Sequence, residues 1–336
     1  MTRAKATIMR APDFWDRKTN GLWPSLLRPI GGVVSMMAAW RQTQSHPWKA
    51  GVPIICVGNL VVGGAGKTPI AIDIIARLKA KGMATHVIMR GYGGTEIGPV
   101  LVDPKNHSFA TVGDEALLLT QNAPTWVSRD RKAGIEAAIK AGAQVIVMDD
   151  GFQNPSVFKD LSILVVDGQY GFGNGRVMPA GPLRENIEAG LKRADCMALL
   201  GADEADVWGR VQRAEQKKLP VLRARIEPTA DIQNLKGQDV FAFAGIGRPQ
   251  KFFDTLRKAE CKLVGCKSFD DHHPYSVEEI QHVIDAAAGV LVVTTTKDWV
   301  RLSPAHKNTI KAVPIALVWK NKTEIDELLS KVLVDG

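Results

Sequence analysis

Cysteine and aromatic residues are scarce in this sequence of 336 residues. Its four cysteines, Cys56, Cys196, Cys261 and Cys266, include one closely spaced pair and no second one. That pattern favours reduced structural thiols over a metal site and does not require an oxidising compartment. Aromatic residues make up 6% of the chain, hydrophobic ones 45% and charged ones 23%, which is typical of a globular protein. The length favours two domains and allows a large core to be buried.

The sequence also lacks an apolar run long enough to cross a bilayer, which takes about 20 residues. Residues 22–40 are apolar but are interrupted by two prolines and by Arg28. Trp23 and Trp40 bracket this stretch, and basic residues such as Arg28 and Arg41 are suited to lipid headgroups. An interfacial helix fits this pattern better than a spanning one.

We therefore predict an amphipathic, membrane-associating segment over residues 1–45, with an anionic membrane surface as its partner. A helix packed on the protein's own core is the alternative that the sequence leaves open.

No dense run of lysine and arginine accompanies the basic composition. The net charge is +8 and the sequence pI is about 9.3, which favours anionic partners: nucleic acid, phosphorylated substrates or anionic lipid. Because the charge is spread along the chain and no nucleic-acid module is recognisable, we expect no nucleic-acid partner. No obligate protein partner is inferred either.

A glycine-rich loop follows the first buried strand predicted by the sequence. The apolar run 52–57 is typical of a parallel strand, and residues 58–69 then read GNLVVGGAGKTP. The glycines permit a tight loop whose backbone N–H groups point inward, Lys67 supplies a point charge for phosphates, and Thr68 supplies a hydroxyl for Mg²⁺. Residues 70–80 have helical periodicity, so a helix N-terminus would face the anion. The predicted nucleotide-binding residues are Val61, Val62, Gly63, Gly64, Ala65, Gly66, Lys67 and Thr68.

The loop departs from the standard phosphate-binding pattern at one position. Val61 stands where the pattern G-x-x-x-x-G-K-[ST] has its first glycine. The strand, loop and helix context supports nucleotide binding in spite of this difference. A glycine-rich turn that binds no nucleotide is the alternative.

Two adjacent carboxylates follow a second apolar strand. Residues 144–148 read QVIVM, and Asp149 and Asp150 come next, before a glycine. In phosphate-loop enzymes an Asp at the end of such a strand helps to hold Mg²⁺. Because adjacent residues on a strand face opposite ways, we expect one of the two to meet the metal directly. A structural Asp-Asp-Gly turn is the alternative.

Polar residues between these two strands are further candidates. Arg90 follows a predicted strand over 86–89 and is placed for a phosphate or a sugar, since open parallel sheets bind ligands at the carboxyl ends of their strands. Asp114 and Glu115 precede an apolar helical run, where helix capping is the alternative to a catalytic or metal-binding role.

Beyond residue 160 the pattern predicts the fold class and the domains. Strands alternate with helices through about residue 225, which indicates an α/β fold with a doubly wound, mainly parallel sheet. The polar stretch 226–238 looks like a connection. We predict a nucleotide-binding kinase domain of the P-loop NTPase type over 46–228 and a smaller α/β domain over 229–336 that closes over the site.

Two segments of these predicted domains hold further candidates. The Gly/Pro-rich segment 171–185 ends in Arg184 and Glu185, and loops of such length are usually functional or disordered. In the smaller domain, Asp270-Asp271-His272-His273 follows a strand-like run. A His beside an Asp at a strand end suits proton relay or phosphate contact better than metal binding, because no third ligand is suitably spaced. A surface turn is the alternative.

The order of these segments resembles one family, the tetraacyldisaccharide 4'-kinases, from about residue 14 to residue 302. The matching stretches are GNLVVGGAGKTP, RGYGG, GDE, DDGFQ, FGNG, MPAGPLRE, AGIGRP, DDHH and TTKDWVRL. The family's usual form tolerates the non-glycine residue at Val61.

The resemblance implies a reaction and a location. ATP would give its γ-phosphate to the 4'-hydroxyl of tetraacyldisaccharide 1-phosphate, with Mg²⁺ as cofactor, to form the bis-phosphorylated lipid A precursor. Members of the family sit on the cytoplasmic face of the bacterial inner membrane through an N-terminal helix, which agrees with the apolar segment described above.

The resemblance also implies roles for individual residues. Lys67 matches the nucleotide loop and the catalytic machinery, Asp114 matches the family's candidate base, and His272 matches its partner across the domain cleft. Thr68, Glu115, Asp149 and Asp150 match positions at which the family contacts the metal. The positions of the substrate site, or of the residues that support it, match Arg90, Tyr92, Gln153, Arg184 and Glu185.

Two positions differ from the family's usual motifs. Asn154 stands where a histidine commonly follows DDGFQ, and Thr296 replaces the glutamate of T-E-K-D. No role in the mechanism is assigned to either position.

Two other functions compete with a lipid kinase. One is a nucleotide-dependent switch that binds ATP or GTP. The GTP form lacks support, because no clear guanine-binding motif N-K-x-D is present and residues 295–298 (TTKD) match it only in part. The other is a soluble small-metabolite kinase, which has no use for the apolar N-terminal segment.

Overall fold

The computed structural model describes residues 12–16, 21–214 and 219–335, and within them two sheets flanked by helices. The strands are β1 (Ile54–Gly58), β2 (Thr85–Met89), β3 (Val100–Leu101), β4 (Thr125–Val127), β5 (Val145–Asp149), β6 (Leu161–Asp167), β7 (Cys196–Leu200), β8 (Val221–Pro228), β9 (Asp239–Ala244), β10 (Lys262–Ser268), β11 (Leu291–Thr295), β12 (Ile310–Val313) and β13 (Ile315–Trp319).

The helices lie between the strands and before the first one. They are α1 (Leu22–Leu26), α2 (Arg28–Thr43), α3 (Lys67–Ala80), α4 (Phe109–Val112), α5 (Asp114–Leu119), α6 (Arg131–Lys140), α7 (Ile187–Arg193), α8 (Val207–Ala214), α9 (Pro249–Lys258), α10 (Val277–Ala286), α11 (Thr296–Trp299), α12 (Pro304–Lys307) and α13 (Lys322–Asp335). Two short 3-10 helices span Asp13–Trp15 and Ala230–Leu235.

The larger sheet has nine strands in the order β13-β8-β7-β6-β1-β5-β2-β4-β3. All neighbours are parallel except at the two edges, where β3 and β13 run antiparallel. Its central strands are buried on both faces, which explains their continuous apolar sequences. The predicted α/β class with a doubly wound, mainly parallel sheet is confirmed.

Register in the middle of this sheet sets the position of the site. Val57, near the end of β1, pairs with Asp149 at the end of β5 and with Ile163 of β6. The loop after β1 therefore leaves the sheet directly beside the two acidic residues that follow β5. Ile70, Ile74 and Leu78 repeat at intervals of four along α3 and are fully buried, so this helix is held against the sheet below the loop.

The smaller sheet has four parallel strands in the order β10-β9-β11-β12. Its two faces carry separate apolar clusters, one around Phe253 and one around Phe243. The chain then returns to the larger sheet, because β13 pairs with β8 and Trp319 donates a hydrogen bond to Asp73 of α3 at 2.6 Å. The predicted smaller domain, 229–336, includes β13, whereas in the structure β13 belongs to the larger sheet. A pattern of alternating strands and helices does not show which sheet the final strand joins.

Part of the predicted N-terminal segment, residues 1–11 and 17–20, lies outside the described residues. The rest forms a short 3-10 helix, α1 and α2. These elements rest on the segment 171–185: Trp15 donates to the carbonyl of Pro179 at 3.1 Å, and a Cβ at Gly31 would come within 2.7 Å of the Val177 carbonyl oxygen. Only a glycine at position 31 therefore allows α2 to lie this close to that segment.

We predict that Phe253→Ala lowers the free energy of unfolding by about 3–5 kcal/mol. Phe253 is 1% exposed in the core of the smaller sheet, so its truncation loses buried apolar area and leaves a cavity. Urea titration followed by circular dichroism measures the change. The matched control is Phe158→Ala, since Phe158 is 43% exposed and should cost less than about 1 kcal/mol. Equal losses in the two variants would contradict the assignment of Phe253 to a core.

Candidate functional site

The phosphate-binding loop runs from the end of β1 to the start of α3. Gly63 and Gly66 have φ angles of 103° and 82°, in the left-handed region that favours glycine. A Cβ at Gly66 would also lie 2.4 Å from Leu200 Cδ1. The residue that precedes α3 therefore has to be glycine, which leaves the backbone amides of the first turn accessible to an anion.

Lys67, the first residue of α3, points across the loop. Its side chain is mostly buried, and its Nζ lies 3.3 Å from Asn59 Oδ1 and 3.5 Å from Asp150 Oδ1. Thr68 follows in the first helical turn and is partly exposed. Sequence reasoning missed Asn59, although it stands directly after β1 in the same glycine-rich motif.

Asp149 is a buried carboxylate whose oxygens accept no hydrogen bond from the described residues. It is fully buried at the end of β5, and neither of its carboxylate oxygens has a hydrogen-bond partner among the described residues. Burial and the negative charge of Glu115 raise its pKa to about 7, against the opposing charge of Lys67. Such a group is poised to receive a cation, because a buried charge needs compensation.

Asp150 is held quite differently from its neighbour. Arg184 makes a two-point contact with it, Nη1 to Oδ1 at 2.9 Å and Nη2 to Oδ2 at 3.3 Å. Burial alone would raise the pKa of Asp150, but the positive charges of Lys67 and Arg184 outweigh it and hold the pKa below its ordinary value. Of the two adjacent carboxylates, Asp149 is thus available for a cation, while Asp150 fixes the two basic side chains.

A chain of contacts through Gln153, Glu185 and Arg193 holds the residues around Asp150 in place. The Gln153 amide donates to the carbonyl of Asn59 at 2.8 Å and to Glu185 at 3.0 Å. Arg193 Nη2 lies 2.7 Å from the buried Glu185 carboxylate. Sequence reasoning missed Arg193, which lies outside the motifs considered. These contacts tie the loop after β1 to the segment that carries Arg184.

Asp114 and His272 meet across the two sheets. Asp114 begins α5 beside the larger sheet and is 4% exposed, whereas His272 lies in the turn after β10 of the smaller sheet. His272 Nδ1 lies 2.9 Å from Asp114 Oδ2. Burial favours the neutral acid, but the hydrogen bond from His272 and the charges of Lys297 and Arg301 prevail and lower the pKa of Asp114 to about 2.

Lys297 and Arg301 complete this second cluster, and sequence reasoning missed both. Lys297 Nζ lies 3.3 Å from Glu115 Oε1 and 3.2 Å from His272 Nε2, while Arg301 Nε lies 3.6 Å from Asp114 Oδ2. Burial alone would lower the pKa of Lys297, but the charge of Glu115 and other nearby carboxylates raises it. Both residues belong to the stretch TTKDWVRL. The sequence shows this motif, but it does not show that the two basic side chains contact Glu115, His272 and Asp114.

Arg90 and Tyr92 stand at the rim of the site. Arg90 is exposed directly after β2, and Tyr92 is 73% exposed with its ring centroid 6.2 Å from that of His272. Both side chains therefore lie at the surface of the site, outside the buried cluster around Asp150 and the one around Asp114. Asn154 and Thr296, where the sequence differs from the family motifs, have local roles: Asn154 accepts from Ser156, and Thr296 begins α11.

We predict that Asp114→Asn destabilises the protein at pH 7 by about 2 kcal/mol, since the folded-state pKa of about 2 lies below the ordinary 3.8. A lowered pKa contributes stability above the ordinary value, and this contribution is lost as the pH falls through the folded-state value. The difference between wild type and variant should therefore shrink as the pH is lowered from about 5 towards 2. Urea titrations across this range measure it.

The control for this prediction is Asp239→Asn, at an exposed position on the first residue of β9. Its effect should stay within about 0.5 kcal/mol at every pH. A pH-independent difference for Asp114→Asn would contradict the ion-pairing interpretation.

Known proteins are similar to this sequence over almost the whole chain. Residues 23–334 match the model of the family described as tetraacyldisaccharide-1-P 4'-kinase, LpxK. Proteins named tetraacyldisaccharide 4'-kinase are 46% identical over 97% of this chain in Rhodospirillum rubrum and 47% identical over 96% of it in Paramagnetospirillum magneticum, and the matches span 98% and 99% of those proteins. The crystal structure of LpxK from Aquifex aeolicus in complex with ATP superimposes with a TM-score of 0.76 at 25% identity, covering 93% of this chain and 100% of that one. The chain therefore belongs to the tetraacyldisaccharide-1-P 4'-kinase family.

Proposed function

We propose that this chain transfers the γ-phosphate of ATP to the 4'-hydroxyl of tetraacyldisaccharide 1-phosphate, which forms the bis-phosphorylated lipid A precursor. One observation carries the proposal: the loop lysine contacts Asp150, and the neighbouring Asp149 interacts with Glu115, which adjoins the Asp114–His272 pair. Membership of the kinase family and the ATP complex of the Aquifex relative support it.

The loop residues 61–68 would hold the triphosphate. The backbone amides at the start of α3 face the anion, and Lys67 adds a positive charge that Asp150 and Asn59 keep in place. Phosphoryl transfer depends on alignment and charge neutralisation more than on covalent chemistry, so a rigid cradle of this kind supplies much of what the reaction needs.

The residues present also fit Mg²⁺. Within the described ranges no three His, Cys, Asp or Glu side chains come together closely enough to hold a metal by themselves. Mg²⁺ does not need such a cage, because it keeps several waters and takes phosphate oxygens as ligands beside one or two carboxylates. Asp149, with two unpartnered oxygens, would supply a direct ligand together with Thr68, and Glu115 and Asp150 would lie around it. When bound, the metal neutralises charge on the phosphates.

Asp114 would accept the proton of the 4'-hydroxyl. Its carboxylate is ionised at neutral pH, and the hydrogen bond from His272 together with the backbone N–H of Glu115, at 2.9 Å, fixes its orientation. Because His272 comes from the smaller sheet, the base is assembled only when the two sheets approach each other, which would also exclude water from the transfer. Arg90 and Tyr92, exposed at the rim, are available to the sugar or to its phosphate.

The N-terminal helices would bring the enzyme to its lipid. Leu26, Ile30, Val33, Met37 and Trp40 are spaced three or four residues apart, and each is more than half exposed. A continuous apolar stripe on a helix that faces away from the protein is typical of interfacial helices.

None of the described helices is long and apolar enough to cross a membrane. The membrane association that we propose is peripheral and at the cytoplasmic face of the bacterial inner membrane, where ATP is available.

We predict that Asp114→Asn and His272→Gln each lower kcat by about 10²- to 10⁴-fold, because each removes part of the general base. The losses should be non-additive in the double variant, since the two residues act as a unit. The measurement is transfer of label from γ-labelled ATP to acylated disaccharide 1-phosphate in detergent, with acceptor-free hydrolysis as the reference. Near-normal turnover of both single variants would refute the dyad. Failure of the wild type to label the lipid would refute the lipid kinase.

We predict that the double variant Val33→Glu/Met37→Glu lowers binding to anionic phospholipid vesicles by at least about 10-fold, since two apolar side chains of the stripe are replaced by charges. Its activity on detergent-dispersed substrate should persist. Co-sedimentation with vesicles measures the binding.

The matched control for the helix is Val264→Glu/Val277→Glu, at exposed valines of the smaller sheet and its helix. This control should bind vesicles as the wild type does. Unchanged binding of the helix variant would exclude the stripe as the membrane contact.

A further inference from the structure

Lys297 stands between two groups of the site and donates to both. Its Nζ lies 3.2 Å from His272 Nε2 and 3.3 Å from Glu115 Oε1. A lysine ammonium has three donors and no acceptor, so a hydrogen bond to Nε2 requires that this nitrogen carries a lone pair. Because a neutral imidazole carries one proton, that proton is then on Nδ1, which lies 2.9 Å from Asp114 Oδ2 and donates to it.

We propose that Lys297 is a positioning residue that holds His272 as a neutral imidazole with its proton on Nδ1. The tautomer of a histidine is set by the hydrogen bonds of its two nitrogens, and here a donor-only group and an acceptor-only group face opposite sides of the ring. The inference deepens the kinase function proposed above and rests on it where turnover is concerned.

The backbone around Lys297 is fixed by its neighbours. Lys297 is the second residue of α11, whose N-cap Thr295 accepts a hydrogen bond from the Asp298 N–H at 3.1 Å. Arg301 donates from Nε to the Lys297 carbonyl at 3.2 Å. The fully buried Asp298 in turn holds the arginine and accepts from the Gly245 N–H at 2.9 Å. The ammonium is thus presented to the ring by a rigid turn rather than by a free loop.

The competing state is an imidazolium that bridges two carboxylates. Asp271 Oδ1 lies 3.9 Å from His272 Nε2, on the same side as the lysine, and is buried without a hydrogen-bond partner among the described residues. The charged groups around the ring are therefore Asp114, Asp271, Lys297 and the more distant Arg301. The lysine is closer to Nε2 than Asp271 is, and its charge disfavours a second positive charge on the ring.

A neutral ring changes what Asp114 can do. An imidazolium would pair with the carboxylate as an ion and make it a weaker proton acceptor, whereas a neutral Nδ1–H orients the carboxylate with a smaller loss of basicity. Glu115 lies against the same ammonium and offsets part of its charge. Lys297 lowers the pKa of Asp114 by its own charge, so its proposed contribution is to fix the tautomer of the ring and, through Nδ1–H, the orientation of the carboxylate.

The test reads the tautomer directly. The full-length protein is labelled with ¹⁵N-histidine and examined in detergent near pH 7 without nucleotide or lipid, and the signals of His272 are assigned by comparison with His272→Gln. In the wild type, Nδ1 should have the shift of a protonated nitrogen and Nε2 that of an unprotonated acceptor. In Lys297→Met, Nε2 should gain a proton.

Two variants sharpen the comparison. Lys297→Arg restores a donor-only group and should return the wild-type pattern, and the matched control Lys311→Met, at an exposed lysine on β12, should leave it unchanged. Turnover should fall about 10- to 100-fold in Lys297→Met, recover at least partly in Lys297→Arg and stay at the wild-type level in Lys311→Met.

Several outcomes would overturn the proposal. A protonated Nε2 in the wild type refutes it whether or not any variant folds, and so does an unchanged neutral Nδ1–H tautomer in Lys297→Met. If the tautomer behaves as expected but the wild type does not phosphorylate the lipid, the kinase function fails while the assignment of Lys297 stands.

Discussion

The site depends on the register of two central strands. Because Val57 of β1 pairs with Asp149 of β5, the phosphate-binding loop and the buried carboxylate leave the sheet side by side. Neither carboxylate oxygen of Asp149 has a hydrogen-bond partner among the described residues, whereas its neighbour Asp150 contacts Lys67 and Arg184. A shift of this register by one residue would turn every side chain of β1 to the other face and separate these groups. The same packing that builds the core thus places the glycine-rich loop next to this buried carboxylate.

His272 and Lys297 are carried by turns beside the smaller sheet, and a separate network of contacts holds them there. Arg301 contacts Asp298, the carbonyls of Gly245 and His273, and lies near Asp114. An arginine and an aspartate buried to this extent are costly unless both are fully hydrogen-bonded, so this network specifies one arrangement of the turns that carry His272 and Lys297. The smaller sheet is therefore a rigid support for two side chains that contact Asp114 and Glu115 beside the larger sheet.

Much of this could be predicted from the sequence, and what could not has a physical reason. Alternating apolar runs and helical periods predict the parallel sheet, and a glycine-rich loop before a helical run predicts the anion site, since both are local patterns. The return of β13 to the larger sheet and the position of Lys297 beside His272 depend on contacts between residues far apart in the chain. The contacts of Asn59 with Lys67 and of Arg193 with Glu185 span eight residues each, but they depend on side-chain directions that periodicity does not give. His272 and Lys297 were both visible as parts of motifs, but periodicity does not show that they share a hydrogen bond.

The N-terminal helices are joined to the catalytic groups by packing as well as by sequence. Gln42, near the end of α2, donates to the carbonyl of Gln153 at 3.1 Å, and the side chain of Gln153 contacts the loop after β1 and Glu185. Gly31 lets the same helix lie against the segment that ends in Arg184. In the function proposed above, the free apolar face of this helix lies on the membrane, and the contacts of its other face through Gly31 and Gln42 set the height of the site above that surface. For a substrate with acyl chains in a bilayer and a hydroxyl that must reach ATP, that height decides whether the two can meet.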